Sequence, residues 1–319
     1  MKKFVFIKKF VFIFILLAIS QVVVNAQTSD IPTSKLIDSK QLLRDVEILS
    51  ADDMEGRKVG TPGGEKARNY LVKRFKEIGL TEIGGKMLQP FPYTGRDKVA
   101  VQGANVFGML KGTKHPDKFI VITAHYDHLG VRDGVIYNGA DDDASGTAAI
   151  MSLAQYFKKL PTENSLVFVA FDAEETGGTG SKKFLAEPPI RKENIVVNVN
   201  IDMIGQNDKS ELYASGTFHY PFLKPYLEPI AKTAKVKLIF GHDRPEQGQD
   251  DWTFQSDHGS FHRQKIPYIY FGVEDHKDYH KPTDDYPTLT KAFYVHGVET
   301  ILEAVKVFDK NAASIALKK

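Results

Sequence analysis

The residues with the clearest potential for chemistry in this sequence are histidines and carboxylates that follow apolar segments. The apolar run 119–124 stops at His125, with Asp127 two residues further on, and three consecutive carboxylates begin at Asp141. Similar side chains follow later apolar segments: Glu174, Glu175, Asp202 and His280. Clustered carboxylates repel one another near apolar strands unless cations compensate their charge. Imidazole and carboxylate without thiolate suit zinc, with cobalt or manganese as substitutes, so this set predicts a divalent-metal site.

Each of these residues, taken singly, also has an ordinary structural explanation. A lone His125 could be a hydrogen-bonded core histidine, and Asp141–Asp143 could cap a helix. Glu174–Glu175 could form a solvated turn, Asp202 could be a cap, and His280 could lie at the surface. Their shared placement, after predicted core strands or at the start of an adjacent helix, favours the metal site.

The elements that must position these residues alternate along the chain. The patterns predict strands and helices in this order: strand 119–124, helix 143–160, strand 166–171, helix 178–186, strand 195–201, helix 222–234, strand 236–240, strand 267–271 and helix 290–308. Such alternation predicts an α/β fold, a single domain with a mostly parallel mixed central sheet and helices on both faces. Ligands bind beyond the carboxyl ends of strands in such sheets, which is where the polar residues fall. An earlier helix is expected to begin with Ser39 as its N-cap.

Composition narrows the class of protein. The chain has 319 residues with 42% hydrophobic and 26% charged side chains, which is typical of a folded globular protein. Cysteine is absent, which excludes disulfides, cysteine–zinc sites and a lipidated N-terminal cysteine. A metal must therefore be held by His, Asp and Glu.

The N-terminus has the pattern of a secretory signal peptide. Four lysines precede the apolar run 10–19, and small residues end at Ala26, so residues 1–26 are expected to be cleaved. Because this segment has four lysines and no acidic residue, its removal would change the formal net charge from +2 to −2. The alternative is an uncleaved membrane anchor, although the apolar run is short for one.

This interpretation predicts a periplasmic or extracellular protein with no stable membrane association after cleavage. Residues 27–38 are expected to be flexible, and 39–319 to form the functional domain. No basic patch remains after cleavage to indicate nucleic acid as a partner.

Five short motifs resemble, in order, those of the secreted co-catalytic di-zinc aminopeptidases. The motifs are His125-Tyr126-Asp127, Gly139–Gly146, Ala173–Glu175, Asn200–Met203 and Tyr279-His280. Residues 49–61 and Ser256-Asp257-His258 resemble two further family segments, and the resemblance covers roughly 42–301. The family also contains glutamate carboxypeptidases and glutaminyl cyclases. The resemblance implies a zinc-exopeptidase fold of the phosphorylase/hydrolase type.

The resemblance also implies a ligand set for two zinc ions. Asp142 would bridge both ions, with His125 and Asp202 completing one site. Glu175 and His280 would complete the other. A cis peptide between Asp142 and its successor is also implied.

Further roles follow from the same resemblance. Glu174 would be the general base, Asp127 would orient His125, and Asp257 would contact substrate. Some secreted members have a tyrosine as oxyanion donor where this chain has Thr253, so the group that polarises the substrate carbonyl stays open.

Three functions compete at this stage. The first is an aminopeptidase that cleaves N-terminal residues from peptide substrates. The second is a glutaminyl cyclase, an acyltransferase on the same scaffold, against which Gly146 and the run Glu174–Gly177 resemble the peptidases. The third is a catalytically inactive binding ectodomain, which the intact ligands and base disfavour. Oligomeric state and residue preference stay open.

Overall fold

An eight-stranded sheet lies at the centre of the fold. The computed structural model describes residues 31–95 and 98–319, of which Pro32–Lys319 make up one compact unit. The strands, in chain order, are β1 Leu88–Thr94, β2 Ala100–Leu110, β3 His115–His125, β4 Gly130–Arg132, β5 Val135–Tyr137, β6 Asn164–Phe171, β7 Ile195–Ile201, β8 Glu211–Ser215, β9 Lys237–Phe240 and β10 Tyr268–Gly272.

The large sheet is mixed and mostly parallel, as predicted. Its strand order is β1-β2-β6-β3-β7-β10-β8-β9, and β4 and β5 pair separately. The four central strands β6, β3, β7 and β10 run parallel to one another. Their carboxyl ends therefore lie along one edge of the sheet, where the candidate site residues follow.

Helices cover both faces of this sheet. They are α1 Ser39–Leu49, α2 Pro62–Ile78, α3 Gly146–Lys159, α4 Thr179–Ala186, α5 Lys224–Thr233, α6 His258–Arg263 and α7 Lys291–Ala316. Successive residues of β3 point to opposite faces, so Ile120 packs in one apolar cluster and Val121 in the other. The first cluster includes Leu153 of α3, and the second includes Phe184 of α4. The single-domain α/β prediction is confirmed.

Three helix boundaries differ from the sequence-based expectation. Asp38, not Ser39, is the N-cap of α1, because its carboxylate accepts a hydrogen bond from the amide of Gln41. The long C-terminal helix α7 continues to Ala316 because its apolar face stays buried beyond residue 308. The helix expected from residue 143 begins at Gly146, since Asp142 and Asp143 have non-helical backbone angles.

The N-terminal predictions are only partly within the described residues. The expected signal peptide 1–26 lies outside them, as do residues 27–30 of the expected flexible segment. Within that segment, Ser34 donates a hydrogen bond to Glu299 of α7 at 2.6 Å. Across 31–95 and 98–319, no helix has the combined length and apolar character needed to cross a membrane.

Candidate metal centre

The parallel pairing of β3, β6 and β7 brings three chain segments to one place. Ala124 of β3 lies beside Ala170 of β6, and Thr123 lies beside Asn200 of β7. The next residues of each strand therefore leave the same edge of the sheet together. Each strand is buried along its apolar length. His125 ends β3, and the carboxylates Asp172 and Asp202 directly follow β6 and β7.

The first group of candidate ligands surrounds the imidazole of His125. Its Nε2 lies 3.3 Å from Oδ1 of Asp142 and 3.4 Å from Oδ1 of Asp202. All three residues are buried, and their ligand atoms lie within 4.8 Å of one another. Four ligands at about 2.0–2.1 Å from a tetrahedral zinc are separated by roughly 3.3 Å, so this spacing suits one ion.

The second group uses the other oxygen of the same aspartate. Nε2 of His280 lies 3.1 Å from Oδ2 of Asp142 and 3.2 Å from Oε2 of Glu175. The side chain of His280 is 41% exposed, whereas the Asp142 side chain is 5% exposed. The second group therefore has an open side, which a substrate needs in order to reach it.

His128 also belongs to the second group, and the sequence interpretation missed it. Its Nδ1 lies 2.6 Å from Oε1 of Glu175 and 3.7 Å from Oδ2 of Asp142. These three residues form a second set whose ligand atoms lie within 4.8 Å of one another. The only signal in the sequence was proximity, because His128 directly follows Asp127.

Asp143 fixes the backbone around the first group. Its carboxylate accepts hydrogen bonds from the amides of His125 at 3.2 Å, Gly146 at 2.8 Å and Met203 at 3.2 Å. It thus joins the end of β3, the start of α3 and the segment after β7. The peptide bond between Asp142 and Asp143 is cis.

Asp141 fixes the loop that carries the second histidine ligand candidate. Its carboxylate accepts from the amide of Gly205 at 2.5 Å and from Nε2 of His276 at 3.0 Å. The amide of Asp141 in turn donates to Asp284 at 2.9 Å. Both His276 and Asp284 flank His280 in the chain, so Asp141 sets the position of that loop.

Arg57 is a completely buried cation beside the carboxylates. It donates hydrogen bonds to the backbone carbonyls of Leu49 at 2.7 Å, Tyr126 at 2.8 Å and Gly139 at 2.8 Å, and also to Asn138. Burial lowers the pKa of its guanidinium, and nearby carboxylates oppose that shift. The N-terminal family segment 49–61 therefore supplies the donor that holds the loops on either side of β4 and β5.

Asp127 contacts both ligand groups through different atoms. Its backbone carbonyl accepts from Nδ1 of His125 at 3.1 Å, while its carboxylate lies 3.7 Å from that nitrogen. The carboxylate accepts from the amides of Glu174 at 3.0 Å and Glu175 at 3.3 Å. Asp127 therefore orients His125 mainly through its backbone and holds the glutamate turn with its side chain.

Glu174 is buried close to several carboxylates, whose negative charges affect its pKa. Burial raises its pKa well above the usual value, with Asp257 and Asp202 adding to the shift and His125 opposing it. The preceding residue, Ala173, has a φ of 61°, so the chain turns sharply here. Glu174 is part of the charged centre, but it belongs to neither ligand group.

Asp257 is also buried close to several of these carboxylates. It is 2% exposed, and neither of its oxygens has a hydrogen-bond partner among the described residues. Burial raises the pKa of Asp257 to about 7, with Asp127 and Asp202 adding to the shift. The following residue, His258, is structural, because its Nε2 donates to the carbonyl of Trp252 at 2.8 Å and burial lowers its pKa to about 3.

Two hydroxyl groups, those of Thr253 and Tyr279, are candidates for the group that polarises the substrate carbonyl. The Thr253 hydroxyl donates to Asp251 and lies 2.8 Å from Nε2 of His219, so it is engaged away from the centre. The Tyr279 ring stacks on His280 with centroids 3.9 Å apart and an angle of 24°. Burial, followed by the negative charges of the ligand carboxylates, raises the pKa of Tyr279.

The residues present fit zinc. Oδ1 of Asp202 and Oε1 of Glu175 are buried and have no hydrogen-bond partner within the described part of the chain. Buried carboxylate oxygens without partners are costly, and a bound cation supplies the missing partner. The donor set of imidazole nitrogens and carboxylate oxygens is one that zinc prefers.

Comparison with known proteins yields a family match. Residues 105–305 match the model described as "Peptidase family M28". Aminopeptidase YwaD of Bacillus subtilis (strain 168) is 31% identical over 254 residues, covering 75% of this chain and 50% of that protein. The chain thus spans about half the length of this relative.

Solved structures share the fold at low sequence identity. The zinc aminopeptidase BSAP from Bacillus subtilis superimposes with a TM-score of 0.66 at 17% identity, covering 83% of this chain and 94% of that one. The glutaminyl cyclase of Bacteroides thetaiotaomicron gives a TM-score of 0.68 at 18% identity, covering 84% and 97%. Both likenesses concern the fold, which the peptidase and the cyclase have in common.

Proposed function

The chain belongs to peptidase family M28, and we propose that it is a zinc-dependent aminopeptidase that hydrolyses N-terminal residues from peptides. The observation that carries this proposal is the position of Asp142 between two ligand groups. Its Oδ1 faces His125 and its Oδ2 faces His280. A carboxylate shared in this way suits two metal ions held about 3.5–4 Å apart.

The ligand assignment follows the two groups. His125 and Asp202 would hold the first zinc ion, Glu175 and His280 the second, and Asp142 both. When bound, the two ions would supply Lewis acidity toward the attacking water and the substrate carbonyl. Around them, the side chains of this chain must orient the substrate and move one proton.

Glu174 is the group we assign to proton transfer. Its carboxylate removes a proton from the attacking water as the water oxygen bonds to the peptide carbonyl carbon. As the C–N bond breaks, Glu174 delivers the same proton to the leaving amine, so its charge is restored. The hydrogen bond from its amide to Asp127 fixes the backbone from which this carboxylate acts.

Tyr279 is the group we assign to the substrate carbonyl oxygen. Its ring stacks on His280, and no described residue accepts a hydrogen bond from its hydroxyl. A phenol is protonated at neutral pH, and burial raises the pKa of Tyr279 further, so its hydroxyl can donate to an oxygen that becomes negative during attack. Thr253 does not compete for this role because its hydroxyl donates to Asp251.

Asp257 is the residue we assign to substrate binding. Both of its oxygens are buried without a partner, in a region with several other carboxylates. The ammonium group of a peptide N-terminus would be a complementary partner for this negative region. A carboxypeptidase substrate, with a terminal carboxylate, would instead meet like charge there.

The proposal is tested with zinc-loaded protein and three matched substrates. We expect hydrolysis of aminoacyl-arylamides and none of the N-acetylated analogues, because acetylation removes the ammonium charge. Glutaminyl-arylamide separates the cyclase alternative, since a cyclase would join the α-amine to the side-chain carbonyl and release ammonia, giving pyroglutamyl-arylamide with the arylamine still attached. Cyclisation without arylamine release would contradict the aminopeptidase, and no turnover of any substrate would favour the inactive ectodomain.

Export is part of the same proposal. The order of lysines, apolar run and small residues ending at Ala26 supports cleavage after that residue and a periplasmic or extracellular location. Mass spectrometry of protein recovered from the native cell envelope should give an N-terminus at Gln27. An intact Met1 in the membrane fraction would mean that the segment is an anchor.

A further inference from the structure

His128 is a buried histidine beside the second ligand group, and the proposed mechanism does not use it. Its side chain has no exposed surface, and neither ring nitrogen has a hydrogen-bond partner among residues 31–95 and 98–319. An imidazole buried in this way loses its hydrogen bonds to water and gains none from protein, which is costly. Both ring nitrogens of His128 are therefore still available to bind a partner at the metal centre.

The nearest atoms to His128 are oxygens of two candidate ligands. Nδ1 lies 2.6 Å from Oε1 of Glu175, yet no hydrogen bond of acceptable geometry joins them, and both atoms lack a partner within the described residues. The same nitrogen lies 3.7 Å from Oδ2 of Asp142. Two electron-rich atoms at such a distance with no hydrogen between them repel each other, unless a cation lies beside both.

The position of the ring is fixed by the backbone that leads to Asp142. A Cβ added at Gly139 would lie 2.5 Å from both Cγ and Cδ2 of His128, and 2.1 Å from the carbonyl oxygen of Asp142. Gly139 also has a φ of +58°, which favours glycine. Glycine is thus required for the ring to pack here, and the packing holds Nδ1 toward the carboxylates.

We propose that His128 is an additional protein ligand of the second zinc ion, which it binds through Nδ1 together with Asp142, Glu175 and His280. This rests on the proposed di-zinc site. The first ion then has three protein ligands and the second has four. Because each added imidazole strengthens binding without adding negative charge, the second ion is the more tightly held of the two.

The competing role for His128 is a hydrogen-bond donor that only orients Glu175. Two substitutions separate the roles. His128→Ala removes any contribution, while His128→Asn keeps an amide that can donate from about the position of Nδ1 but is a poor zinc ligand. His115→Ala is the matched control, since this exposed histidine lies at the opposite end of the same strand, β3.

The measurement is zinc affinity of the metal-free full chain, by competition with a chromophoric chelator, with circular dichroism to confirm folding. Loss of a partner outside the ligand shell typically costs 10–100-fold in affinity, so loss of a ligand should cost at least about 100-fold. In both His128 variants we expect this loss of zinc affinity at one site only. The affinity of their other site, and of both sites in His115→Ala, should stay within about threefold of wild type. Wild-type affinity in His128→Asn at both sites would overturn the proposal.

A second measurement needs no variant. X-ray absorption of the fully zinc-loaded wild-type chain counts imidazole ligands, and the proposal expects an average of 1.5 per zinc ion from His125, His128 and His280 on two ions. An average of 1 would overturn it. Neither measurement depends on catalysis. Failure of the aminopeptidase proposal would be seen as two bound zinc ions without peptide hydrolysis, and it can therefore be distinguished from failure of the His128 proposal.

Discussion

Nε2 of His276 lies 3.0 Å from Oδ2 of Asp141. This contact joins the loop that carries the candidate zinc ligand His280 to the segment that carries the candidate ligand Asp142. The amide of Asp278 donates to Nδ1 of the same imidazole at 3.2 Å, which leaves Nε2 as the protonated nitrogen that donates to Asp141. His276 thus holds the loop on which His280 lies.

We expect His276→Ala to weaken zinc binding at the second site by about 10–100-fold, the usual effect of removing a group that orients a ligand. His276→Gln keeps a donor near Nε2 and should recover most of the affinity. Chelator competition on both variants checks this. Equal affinity in wild type and His276→Ala would show that the loop is held by other contacts, such as those of Asp284.

Glu174 and Glu175 are adjacent, but we assign them different roles. Glu174→Gln leaves both ligand groups intact, so it should lose turnover by roughly 10²–10⁴-fold with little change in zinc content. Glu175→Ala should lose metal first, and thermal stability with it, because metal that binds only the folded state stabilises that state. Zinc stoichiometry and turnover measured on both variants decide the assignment. Loss of zinc in Glu174→Gln with retention in Glu175→Ala would reverse it.

Arg57 is expected to be essential for stability because it satisfies several buried carbonyls at once. Each buried acceptor left without a donor costs about 1–3 kcal/mol, so Arg57→Met should lower the free energy of unfolding by at least about 3 kcal/mol. Arg57→Lys should recover only part of this loss, since an ammonium lacks the planar fork. Urea unfolding at fixed zinc concentration measures both variants.

The control for Arg57 is Arg244→Met, at a side chain that is 57% exposed. That substitution should change the free energy of unfolding by less than about 0.5 kcal/mol. If Arg57→Met were as stable as the control, the carbonyls would have found other donors and the structural role would be wrong.

His258 should make the protein less stable in acid. Burial lowers its pKa to about 3 in the folded chain from the ordinary 6.5 of histidine, so the unfolded chain binds the extra proton between these pH values. Stability from the neutral imidazole is complete above pH 6.5 and is lost as pH falls toward 3. At pH 5 the loss is about 2 kcal/mol, at 1.36 kcal/mol per pKa unit.

His258→Gln tests this, because glutamine cannot be protonated and still offers a donor to the Trp252 carbonyl. The fall in free energy of unfolding from pH 7 to pH 5 should be smaller in the variant by about 2 kcal/mol. The comparison is made between pH values within each protein, so the packing cost of the substitution cancels. An identical fall in both proteins would show that His258 is not buried in its neutral form.

The sequence was sufficient for the elements whose signal is local. The apolar run at 119–124 predicted β3, and the polar residues after the strands predicted which edge of the sheet would collect charge. The boundary at Gly146 could not be found in this way, because the carboxylates of the 141–143 run bind backbone amides from distant segments instead of capping a regular helix.

The roles of Arg57 and His128 could not be predicted from the sequence, and the physical reason is the same for both. Arg57 donates to four carbonyls from three separate places in the chain, and a sequence pattern does not show which backbone carbonyls a side chain will reach. His128 faces Glu175 only because the turn at Gly139 holds its ring in place. Such contacts depend on loop geometry, whereas the strand ends depend on the pairing of apolar segments, which periodicity does encode.

The central claim is that two zinc ions, sharing Asp142, make this chain a peptidase. The most direct test is a zinc titration of the metal-free mature chain, following bound zinc and aminoacyl-arylamide hydrolysis in the same samples. We expect two ions per chain, and full hydrolysis only when both sites are filled. Saturation at one ion, with hydrolysis already maximal or absent, would contradict it.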